Sequence, residues 1–304
     1  MTQTSLSPRA WAELLLLGLL WGGSFLAIRT ALDEIGPLTA VLARTGIAAL
    51  ILLGVLLWQR GPLPRGWSLW LRLLGMGLLN NVIPFTLMAW GQLHIPSGLT
   101  AILNATTAIF GVILAALVFA DERLTRRKGL GVTLGFFGVT LAIGPGALRS
   151  FDLTSLAQLA VLAGTVSYAC AGAWGRAMLT GLPPVSAAFG MLAAATAVML
   201  PLTLLSEGLP SLPAQPATWA AILYYAGFAT ALAYLLYYRV LAMAGSGNLL
   251  LVTLIIPPIA IALGSLVREE TLPPQAYAGF ALLVLGLVIL DGRLLRRRGT
   301  LNRV

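Results

Sequence analysis

Long apolar runs recur along the whole chain, with short polar stretches between them, and this pattern predicts the architecture. A membrane-spanning helix needs about 20 predominantly apolar residues. Ten such runs can be drawn, at residues 14–31, 37–58, 71–91, 98–119, 129–145, 156–178, 184–205, 218–240, 248–267 and 276–291. Leu, Ala, Gly and Val dominate the runs, and extended period-two alternation is missing, which favours helices over a β-barrel. The pattern predicts an all-α membrane protein with ten transmembrane helices.

The composition agrees with this class of protein. Hydrophobic residues make up 59% of the chain and charged residues only 10%, whereas a soluble domain carries about 25% charged residues. The connections are too short for a separate soluble domain. We expect the first run to be retained, because it continues through Trp21 to Leu32 without the small-x-small site of a cleaved signal peptide. The single cysteine, Cys170, excludes an internal disulfide and a thiolate metal site.

The two halves of the sequence resemble each other. Eight positions of the first half have a counterpart in the second half at a nearly constant spacing. In the first half they are Trp21, Arg29, Pro37, Ser97, Glu122, Leu124, Gly131 and Gly138. Their counterparts, in the same order, are Tyr168, Arg176, Pro184, Ser246, Glu270, Leu272, Gly279 and Gly286. Each half holds an odd number of runs, so the two copies enter the membrane from opposite sides. This predicts two inverted five-helix repeats, residues 1–146 and 147–304, around a central cavity, which is the architecture of an alternating-access transporter.

The formal net charge of +9 is explained by its distribution. With a cytoplasmic N-terminus, most Lys and Arg residues fall on the inner side, including those at 123–128 and in the tail at 293–303, and most acidic residues fall outside. Positive residues concentrate on the cytoplasmic side of membrane proteins, so both termini are predicted to be cytoplasmic, in a bacterial inner membrane. The basic tail then lies near anionic lipid. The predicted partner is the lipid bilayer, and nucleic-acid binding is not expected.

Enzyme chemistry is missing from the sequence. His94 is the only histidine, in the short connection between the third and fourth runs, and no H-E-x-x-H or G-x-S-x-G motif occurs. A membrane-embedded Ser–His protease would need His94 to reach a serine at membrane depth, such as Ser24 or Ser246. We expect no enzymatic activity, no metal and no cofactor, and a surface or helix-capping role for His94 rather than a gate.

Acidic side chains give little sign of ion coupling. All ten Asp and Glu residues lie in connections or at the ends of runs, whereas proton relays normally use carboxylates or histidines buried in the membrane. Transport down the gradient of the solute is the preferred hypothesis. The alternative is coupling through His94, through Glu13 or through the charge of the solute itself.

Polar and aromatic residues at membrane depth are the candidates for contacting a solute, because such polar groups face protein or a cavity rather than lipid. The candidate substrate-binding residues are Trp21, Asn80, Asn81, Phe85, Trp90, Asn104, Tyr168, Tyr225, Tyr234, Tyr237, Tyr238 and Asn248. Amide groups together with π-faces suit a zwitterion with an apolar or aromatic side chain. For each aromatic residue, plain helix packing is the alternative interpretation. Thr106 and Thr107 are further polar residues at membrane depth, on the fourth span. The alternative to a contact with solute is that their hydroxyls bond back to their own helix.

Proline and glycine positions predict how the helices bend and pack. Pro84, Pro257 and Pro258 are expected to kink their helices and to open backbone groups toward a cavity. Small faces on the fifth and tenth helices are formed by Gly131, Gly135, Gly138, Gly279 and Gly286. Close helix packing is the preferred interpretation of these glycines, and a contact in a weak homodimer is the alternative.

Several motifs carry a family resemblance. Leu20-Trp21-Gly22-Gly23-Ser24-Phe25 opens the first repeat, Pro37 and Arg44 mark the second run, and Glu122-Arg123-Leu124 with its glycines closes the repeat, as Glu270-Thr271-Leu272 does in the second copy. Over essentially its full length the chain resembles the EamA-type branch of the drug/metabolite transporter superfamily. Within that branch it is most similar to bacterial inner-membrane amino-acid exporters, including exporters of aromatic amino acids.

The resemblance implies eight helices around a central cavity, with the fifth and tenth at the periphery, and export of small metabolites. The family often has a proline in the fourth span where this chain has residues 104–107 without one, so the two halves are expected to bend unequally. Arg29 and Arg44 are the basic span residues away from the cytoplasmic face. Their neighbours Asp33 and Glu34 predict an outer salt-bridge cluster for both, which disfavours the phosphate substrates of other superfamily members.

The sequence therefore predicts an exporter of neutral, aromatic or hydrophobic amino acids and related metabolites. It would work by alternating access, as a monomer or a weak homodimer. A proton-coupled metabolite or drug antiporter is the first alternative. A passive channel and a membrane scaffold are the alternatives from other classes.

Overall fold

The computed structural model describes residues 7–120, 125–144, 153–249 and 251–291, with the side chains of all of these except 245–248 and 291. The helices are α1 Pro8–Ala31, α2 Pro37–Trp58, α3 Trp67–Gly91, α4 Ser97–Val118, α5 Arg126–Ile143, α6 Leu153–Met178, α7 Pro184–Ser206, α8 with its segments Pro216–Leu223, Tyr224–Leu232 and Ala233–Leu249, α9 Val252–Arg268 and α10 Pro274–Asp291. No strand occurs in these described ranges. The predicted all-α fold is confirmed.

Seven of the described helices, α1 to α4 and α6 to α8, are long and apolar enough to cross a membrane, judged by length and composition. Helices α9 and α10 are apolar but shorter, and α5 begins with the basic residues Arg126, Arg127 and Lys128. A multi-pass helical membrane protein is thus confirmed. Ten crossings stay a prediction.

Prolines start several of these helices. Pro8, Pro37, Pro184 and Pro216 occupy the first turns of α1, α2, α7 and α8. A first-turn residue has no partner for its backbone N–H within the helix, so the N–H that proline lacks costs nothing there, and its fixed φ suits the helix. The prolines therefore place the boundaries between the polar connections and the apolar helices.

The two halves of the chain interleave. Helix α1 packs against α8 and α9, α2 against α7 and α8, α3 against α6 and α7, and α4 against α6 and α9. Glycines allow close approaches: a Cβ atom at Gly18 would lie 2.6 Å from Ile255 Cγ2, and one at Gly22 would lie 2.7 Å from Ile259 Cβ. Each of these helix pairs joins the first half to the second, so the core lies between the halves.

Helices α5 and α10 pair with each other through their glycine faces. A Cβ atom at Gly131 would lie 2.7 Å from the Gly286 carbonyl oxygen, and one at Gly138 would lie 2.6 Å from the Leu283 backbone nitrogen. Gly279 lies in the same way against the Gly138 carbonyl. The close packing predicted from these glycines is confirmed. The glycine faces of α5 and α10 pack against each other within the same chain, so these faces are not free for a homodimer contact.

The third helix of each half contains a π-helical segment. It spans Leu78–Val82 in α3 and Tyr224–Leu232 in α8. Pro84 lies two residues after the first segment and lacks the N–H that a regular helix would use, which accounts for the distortion predicted there. The second segment contains no proline. Such segments are frequent at functional sites, and here both contact helices of the opposite half.

Helix α4 is interrupted in its middle, at residues 105–106. The Thr106 hydroxyl donates to the Leu103 carbonyl at 2.7 Å, and the Thr107 hydroxyl also donates to its own helix, at 2.8 Å. Helix α9, its counterpart in the second half, runs through its two prolines as one helix. The back-bonding of the two threonines is therefore confirmed. The two counterpart helices differ in continuity, and the kinks at Pro257 and Pro258 and the unequal bending of the halves stay predictions.

Candidate functional site

A buried arginine lies between the two halves. Arg44, on α2, is 8% exposed. Its Nε donates a hydrogen bond to the Thr230 hydroxyl, in the π-segment of α8, at 2.9 Å, and its guanidinium carbon lies 3.8 Å from the centre of the Phe85 ring. In the part of the chain that the structure describes, this buried cation is held by one hydroxyl group and one π-face and forms no ion pair.

This position corrects the prediction that Arg44 belongs to an outer salt-bridge cluster. The cluster forms without it: Arg29 pairs with Asp33 at 2.8 Å, and Arg268 is the second partner of Asp33 at 2.7 Å. The hydrogen bond from Arg268 holds the pKa of the Asp33 carboxyl below its usual value. Arg44 lies two helical turns, or about 10 Å, beyond the start of α2, which is too deep for these acidic residues to reach.

Three tyrosines lie near the guanidinium. Tyr168, Tyr225 and Tyr234 each interact with Arg44 electrostatically. Tyr225 is fully buried, and the Tyr168 ring meets the Phe85 ring edge-on, with ring centroids 6.4 Å apart. The Phe85 ring of the first half lies against Arg44, and three phenol groups of the second half lie near it.

A polar network crosses from α3 to α8. Asn80 Nδ2 donates to the Tyr234 hydroxyl at 2.9 Å, and that hydroxyl donates to Asn81 Oδ1 at 3.2 Å. Both asparagines belong to the π-segment of α3. Three residues predicted from sequence to contact a solute thus form one hydrogen-bonded unit between the halves.

Two donors beside this network lack partners. The side-chain nitrogen of Asn81 and the hydroxyl of Tyr225 are fully buried, and neither has a hydrogen-bond partner among the described residues. Buried polar groups are normally hydrogen-bonded, so unpaired donors near a buried cation indicate a place for a polar or anionic ligand. The central cluster is defined here as Arg44, Asn80, Asn81, Phe85, Tyr168, Tyr225, Thr230 and Tyr234.

A second aromatic group adjoins the central cluster. The Trp21 indole N–H donates to the Ala229 carbonyl, in the π-segment of α8, at 3.1 Å. The Trp21 ring lies 6.0 Å from the Tyr237 ring, which in turn meets the Tyr238 ring edge-on at 5.3 Å. Tyr237 and Tyr238 both interact electrostatically with Tyr234. The predicted aromatic residues of α1 and α8 therefore lie together, next to the polar network.

Trp90 and Asn104 form none of the hydrogen bonds or ring contacts that define these two groups. Trp90 packs against His94 with ring centroids 5.0 Å apart, at the end of α3. Asn104 lies at the interruption of α4, and its buried Oδ1 has no partner among the described residues. The side chain of Asn248 lies outside the described residues.

The sequence interpretation missed Arg44 and Thr230 as members of the site. A signal for Arg44 was present: the positions three and four residues away on its own helix are Ala40, Val41, Ile47 and Ala48, so no acidic residue on α2 can pair with it. Thr230 carries no comparable signal, because a threonine in an apolar run is more often bonded to its own helix.

A small cavity adjoins the guanidinium. It has a volume of about 10 Å³ and is lined by Ile28, Ala40, Val41, Arg44, Phe85 and Ala89. Such a space holds roughly one water molecule. A larger ligand at Arg44 therefore requires the helices to move apart.

Carboxylates of one half cap helix starts of the other at one end of the bundle. This end, named here the Asp33 face, is formed by the connections at 32–36, 92–96, 207–215 and 269–273. Glu207 accepts hydrogen bonds from the backbone N–H groups of Leu38 and Thr39 at 2.9 and 2.8 Å. Negative charge at a helix N-terminus is favourable, so Glu207 ties the end of α7 to the start of α2.

Two further carboxylates make the same kind of contact on the Asp33 face. Glu270 accepts from the backbone N–H of Ser97 at 2.9 Å and from its hydroxyl at 2.7 Å, at the start of α4. Glu34 accepts from the Gln215 N–H at 3.2 Å and from the Thr218 hydroxyl, at the start of α8. Both contacts join residues of opposite halves.

The opposite end of the bundle, named the Glu13 face, is also joined across the halves. Glu13 on α1 is 9% exposed and accepts hydrogen bonds from Arg9 at 3.2 Å and from Arg239 of α8. The Ser186 hydroxyl donates to the Pro62 carbonyl at 2.7 Å. Cross-half contacts thus lie on both sides of the central cluster in this conformation.

An all-helical, multi-pass membrane protein with a polar and aromatic cluster between its halves has the build of a membrane transporter. The sequence profile of the EamA-like transporter family matches residues 10–144 and again residues 155–290. The chain belongs to the EamA-like transporter family, within the drug/metabolite transporter superfamily. The resemblance expected from the motifs is confirmed, and the family indicates a transporter rather than an enzyme.

Similar proteins include named exporters and transporters without a stated substrate. A probable terminal-alkyne amino-acid exporter from Streptantibioticus cattleyicolor is 27% identical, over 96% of each chain. A probable amino-acid metabolite efflux pump from Salmonella typhimurium is 25% identical, over 90% of this chain and 92% of its own length. An uncharacterized transporter from Archaeoglobus fulgidus is 24% identical, over 92% of this chain and 98% of its own length.

A solved crystal structure shares the fold. It matches with a TM-score of 0.68 and 19% sequence identity, over 95% of this chain and 98% of that chain. At this identity the likeness concerns the fold and carries no information on the substrate.

Proposed function

We propose that the protein exports neutral amino acids and related small metabolites across a bacterial inner membrane by alternating access. The observation that carries the proposal is the central cluster, where polar and aromatic side chains from both halves meet at two π-segments. Two relatives named for amino-acid export or efflux support the substrate class. In this proposal the chain crosses the membrane ten times, as two inverted five-helix repeats with both termini in the cytoplasm.

The side chains of the site suit such a solute. The amides of Asn80 and Asn81 and the hydroxyl of Tyr234 already exchange hydrogen bonds, so polar groups of a solute can replace partners within that network. The rings of Trp21 and Tyr237 lie beside it and offer π-faces to an apolar or aromatic side chain. This arrangement supports a preference for aromatic or hydrophobic amino acids.

Alternating access requires the contacts on the two faces to break in turn. On the Asp33 face these are the carboxylate caps of Glu207, Glu270 and Glu34. On the Glu13 face they include the contact between Glu13 and Arg239. We assign the Asp33 face to the outside, because the distribution of basic residues in the sequence places the termini and the Glu13 face inside.

Transport down the solute gradient is the preferred mechanism, since the central cluster as described contains no carboxylate. A proton-coupled antiporter is the second candidate, and one observation favours it. Glu13 is a buried carboxylate that accepts a hydrogen bond from Arg239 of the other half, and its Oε2 has no partner among the described residues.

Counterflow in proteoliposomes tests the proposal. Vesicles loaded with unlabelled phenylalanine should accumulate labelled phenylalanine transiently, and the rate should saturate with its concentration. A channel would not show counterflow, and a scaffold would move no solute. Repeating the measurement with an imposed pH gradient separates uncoupled transport, which should be unaffected, from proton exchange.

A matched pair of tyrosine variants links the transport to the site. Tyr234→Phe removes the hydroxyl that joins Asn80 to Asn81 and should lower the rate about fivefold, because a lost hydrogen bond costs about 1 kcal/mol. The control Tyr277→Phe alters an exposed tyrosine on α10 and should leave the rate unchanged. Equal rates for both variants, or no saturable flux of any amino acid by the wild type, would contradict the proposal.

A further inference from the structure

We propose that Arg44 binds the carboxylate group of the transported solute and makes that group the required element of recognition. This inference deepens the proposed function and relies on it for the identity of the transported solute. Three observations support it: Arg44 is buried, hydrogen-bond donors near it have no partner, and the central cluster as described contains no carboxylate.

The buried charge of Arg44 would be stabilised by an anionic partner. A buried cation without an ion pair carries a desolvation penalty that the hydrogen bond to Thr230 and the contact with Phe85 only partly offset. Charged residues at membrane depth almost always pair with another group or face a cavity. Among the described residues Arg44 has no acidic partner, so we assign that role to an anionic solute, which binds when the helices move apart.

The guanidinium presents the right edge for a carboxylate. In the described part of the chain it uses Nε for Thr230, and one face lies against the Phe85 ring. Both Nη groups keep their donors. Two parallel N–H groups of arginine match the two oxygens of a carboxylate, which a lysine ammonium does not.

Two further donors can complete the recognition of an anion. The Asn81 side-chain nitrogen and the Tyr225 hydroxyl are buried without partners. Tyr225 interacts electrostatically with Arg44, and so does Tyr234, which is hydrogen-bonded to Asn81. The Asn81 nitrogen can only donate a hydrogen bond, and the Tyr225 hydroxyl is able to donate one, so both can bind an acceptor such as a carboxylate.

The cavity beside Arg44 indicates where the carboxylate enters. Its walls include the small side chains Ala40 and Ala89 as well as Val41 and Ile28. Its volume of about 10 Å³ admits about one water molecule in this conformation. Opening of one face of the bundle would enlarge this space next to the guanidinium.

The ammonium group of an amino acid has no comparable partner. The central cluster as described offers it neutral acceptors and π-faces, such as the Tyr168 ring, and no carboxylate. An acid that lacks the ammonium group should therefore still bind, whereas an amide that lacks the carboxylate should not. A site built around the ammonium group would show the opposite order.

Thermal stabilisation of the purified protein in nanodiscs by added ligand measures directly whether acids bind more tightly than amides. The probes are 3-phenylpropionate and its neutral amide, 3-phenylpropanamide, followed by phenylalanine and phenylalaninamide. The wild type should be stabilised by both acids and by neither amide. Arg44→Gln should bind the acids roughly tenfold to a hundredfold more weakly, because a hydrogen bond to a charged group contributes about 1.5–3 kcal/mol. The affinity of Arg44→Lys for the acids should lie between that of the wild type and that of Arg44→Gln.

The control is Arg29→Gln, which removes a basic residue that pairs with Asp33 toward one end of α1. It should keep the preference of the wild type for acids over amides. If Arg44→Gln does not fold, Arg44→Lys takes its place, and a weaker preference for acids in Arg44→Lys than in the wild type is then the expected result.

Equal stabilisation by acid and amide, no stabilisation by the acids, or an unchanged acid preference in Arg44→Gln would overturn this inference. These outcomes differ from failure of the proposed function. Acid binding through Arg44 without any amino-acid flux would refute the exporter and leave the carboxylate site standing. Saturable phenylalanine flux that phenylalaninamide inhibits as well as phenylalanine does would refute the carboxylate site and leave the exporter.

Discussion

The hydroxyl of Thr230 serves two buried partners at once. It accepts a hydrogen bond from Arg44 at 2.9 Å and donates one to the Tyr225 carbonyl, within the π-segment, at 2.7 Å. Thr230→Val keeps the shape of the side chain and removes both bonds. We expect the free energy of unfolding to fall by about 1–3 kcal/mol, since buried groups are left unpaired. Thermal unfolding of the purified protein measures this loss.

Thr203 on α7 provides a matched control for this substitution. It is also fully buried, but its hydroxyl has no partner among the described residues. Thr203→Val removes an unpaired polar group, so its stability should equal or exceed that of the wild type. A loss in Thr203→Val as large as in Thr230→Val would show that the hydroxyl bonds of Thr230 are not the cause.

At the scale of single residues, the sequence predicted the types of side chain in the site better than their partners. Asn80 and Asn81 are candidates as polar residues and Tyr234 as an aromatic residue at membrane depth, and the three bond to one another. Arg44 was assigned to the wrong neighbours, because proximity to Asp33 along the chain does not account for the depth that two helical turns add.

At the scale of helices, the pairing of α5 with α10 depends on the absence of side chains. A Cβ atom at Gly138 would lie 2.6 Å from the backbone of Leu283 on α10, and backbone cannot move aside as a side chain can. Gly138→Val should therefore force the two helices apart and lower the free energy of unfolding by about 1–3 kcal/mol or more. The affinity for solute should change little, because neither helix contributes to the central cluster.

The control on the same helix is Gly129→Val, where an added Cβ atom has no neighbour within 4 Å. Thermal unfolding of both variants separates crowding from the lower helix propensity of valine, which both share. If Gly129→Val is as unstable as Gly138→Val, the glycine contact does not hold α5 against α10.

The helices themselves were largely predictable, but their internal distortions were not. Apolar runs of membrane length mark each helix, and proline marks many of the starts. Pro84 also signals the π-segment of α3, because it removes a backbone donor. The π-segment at Tyr224–Leu232 has no such residue, and it contacts the other half, where the Trp21 indole donates to the Ala229 carbonyl. A single helix sequence does not contain that information.

At the scale of the whole molecule, the two faces of the bundle are built differently. On the Asp33 face, carboxylates of one half cap the starts of helices in the other half, at α2, α4 and α8. On the Glu13 face, the described contacts include a pair of long charged side chains, Glu13 and Arg239. The caps hold fixed backbone groups at three helix starts, whereas the ion pair of the Glu13 face depends on Arg239, whose side chain is half exposed. We therefore expect the Glu13 face to open more readily.

The general architecture could be predicted because it depends on periodic and repeated features of the sequence. Span length, the duplicated motifs and the family resemblance all describe the chain without reference to a particular conformation. The closed state of the site could not be predicted in this way. It depends on side-chain contacts between distant residues, such as Glu270 with Ser97, that no local pattern specifies.

The central claim is that one solute site is shared by the two halves, and a double-mutant cycle between them tests it most directly. Asn80→Ala, Tyr234→Phe and the double variant are compared with the wild type by the phenylalanine concentration that half-saturates counterflow. Residues that share a site are coupled by about 0.5–3 kcal/mol. We predict that the double variant is weakened less than the sum of the two single effects. Strictly additive effects, or none at all, would contradict a shared site.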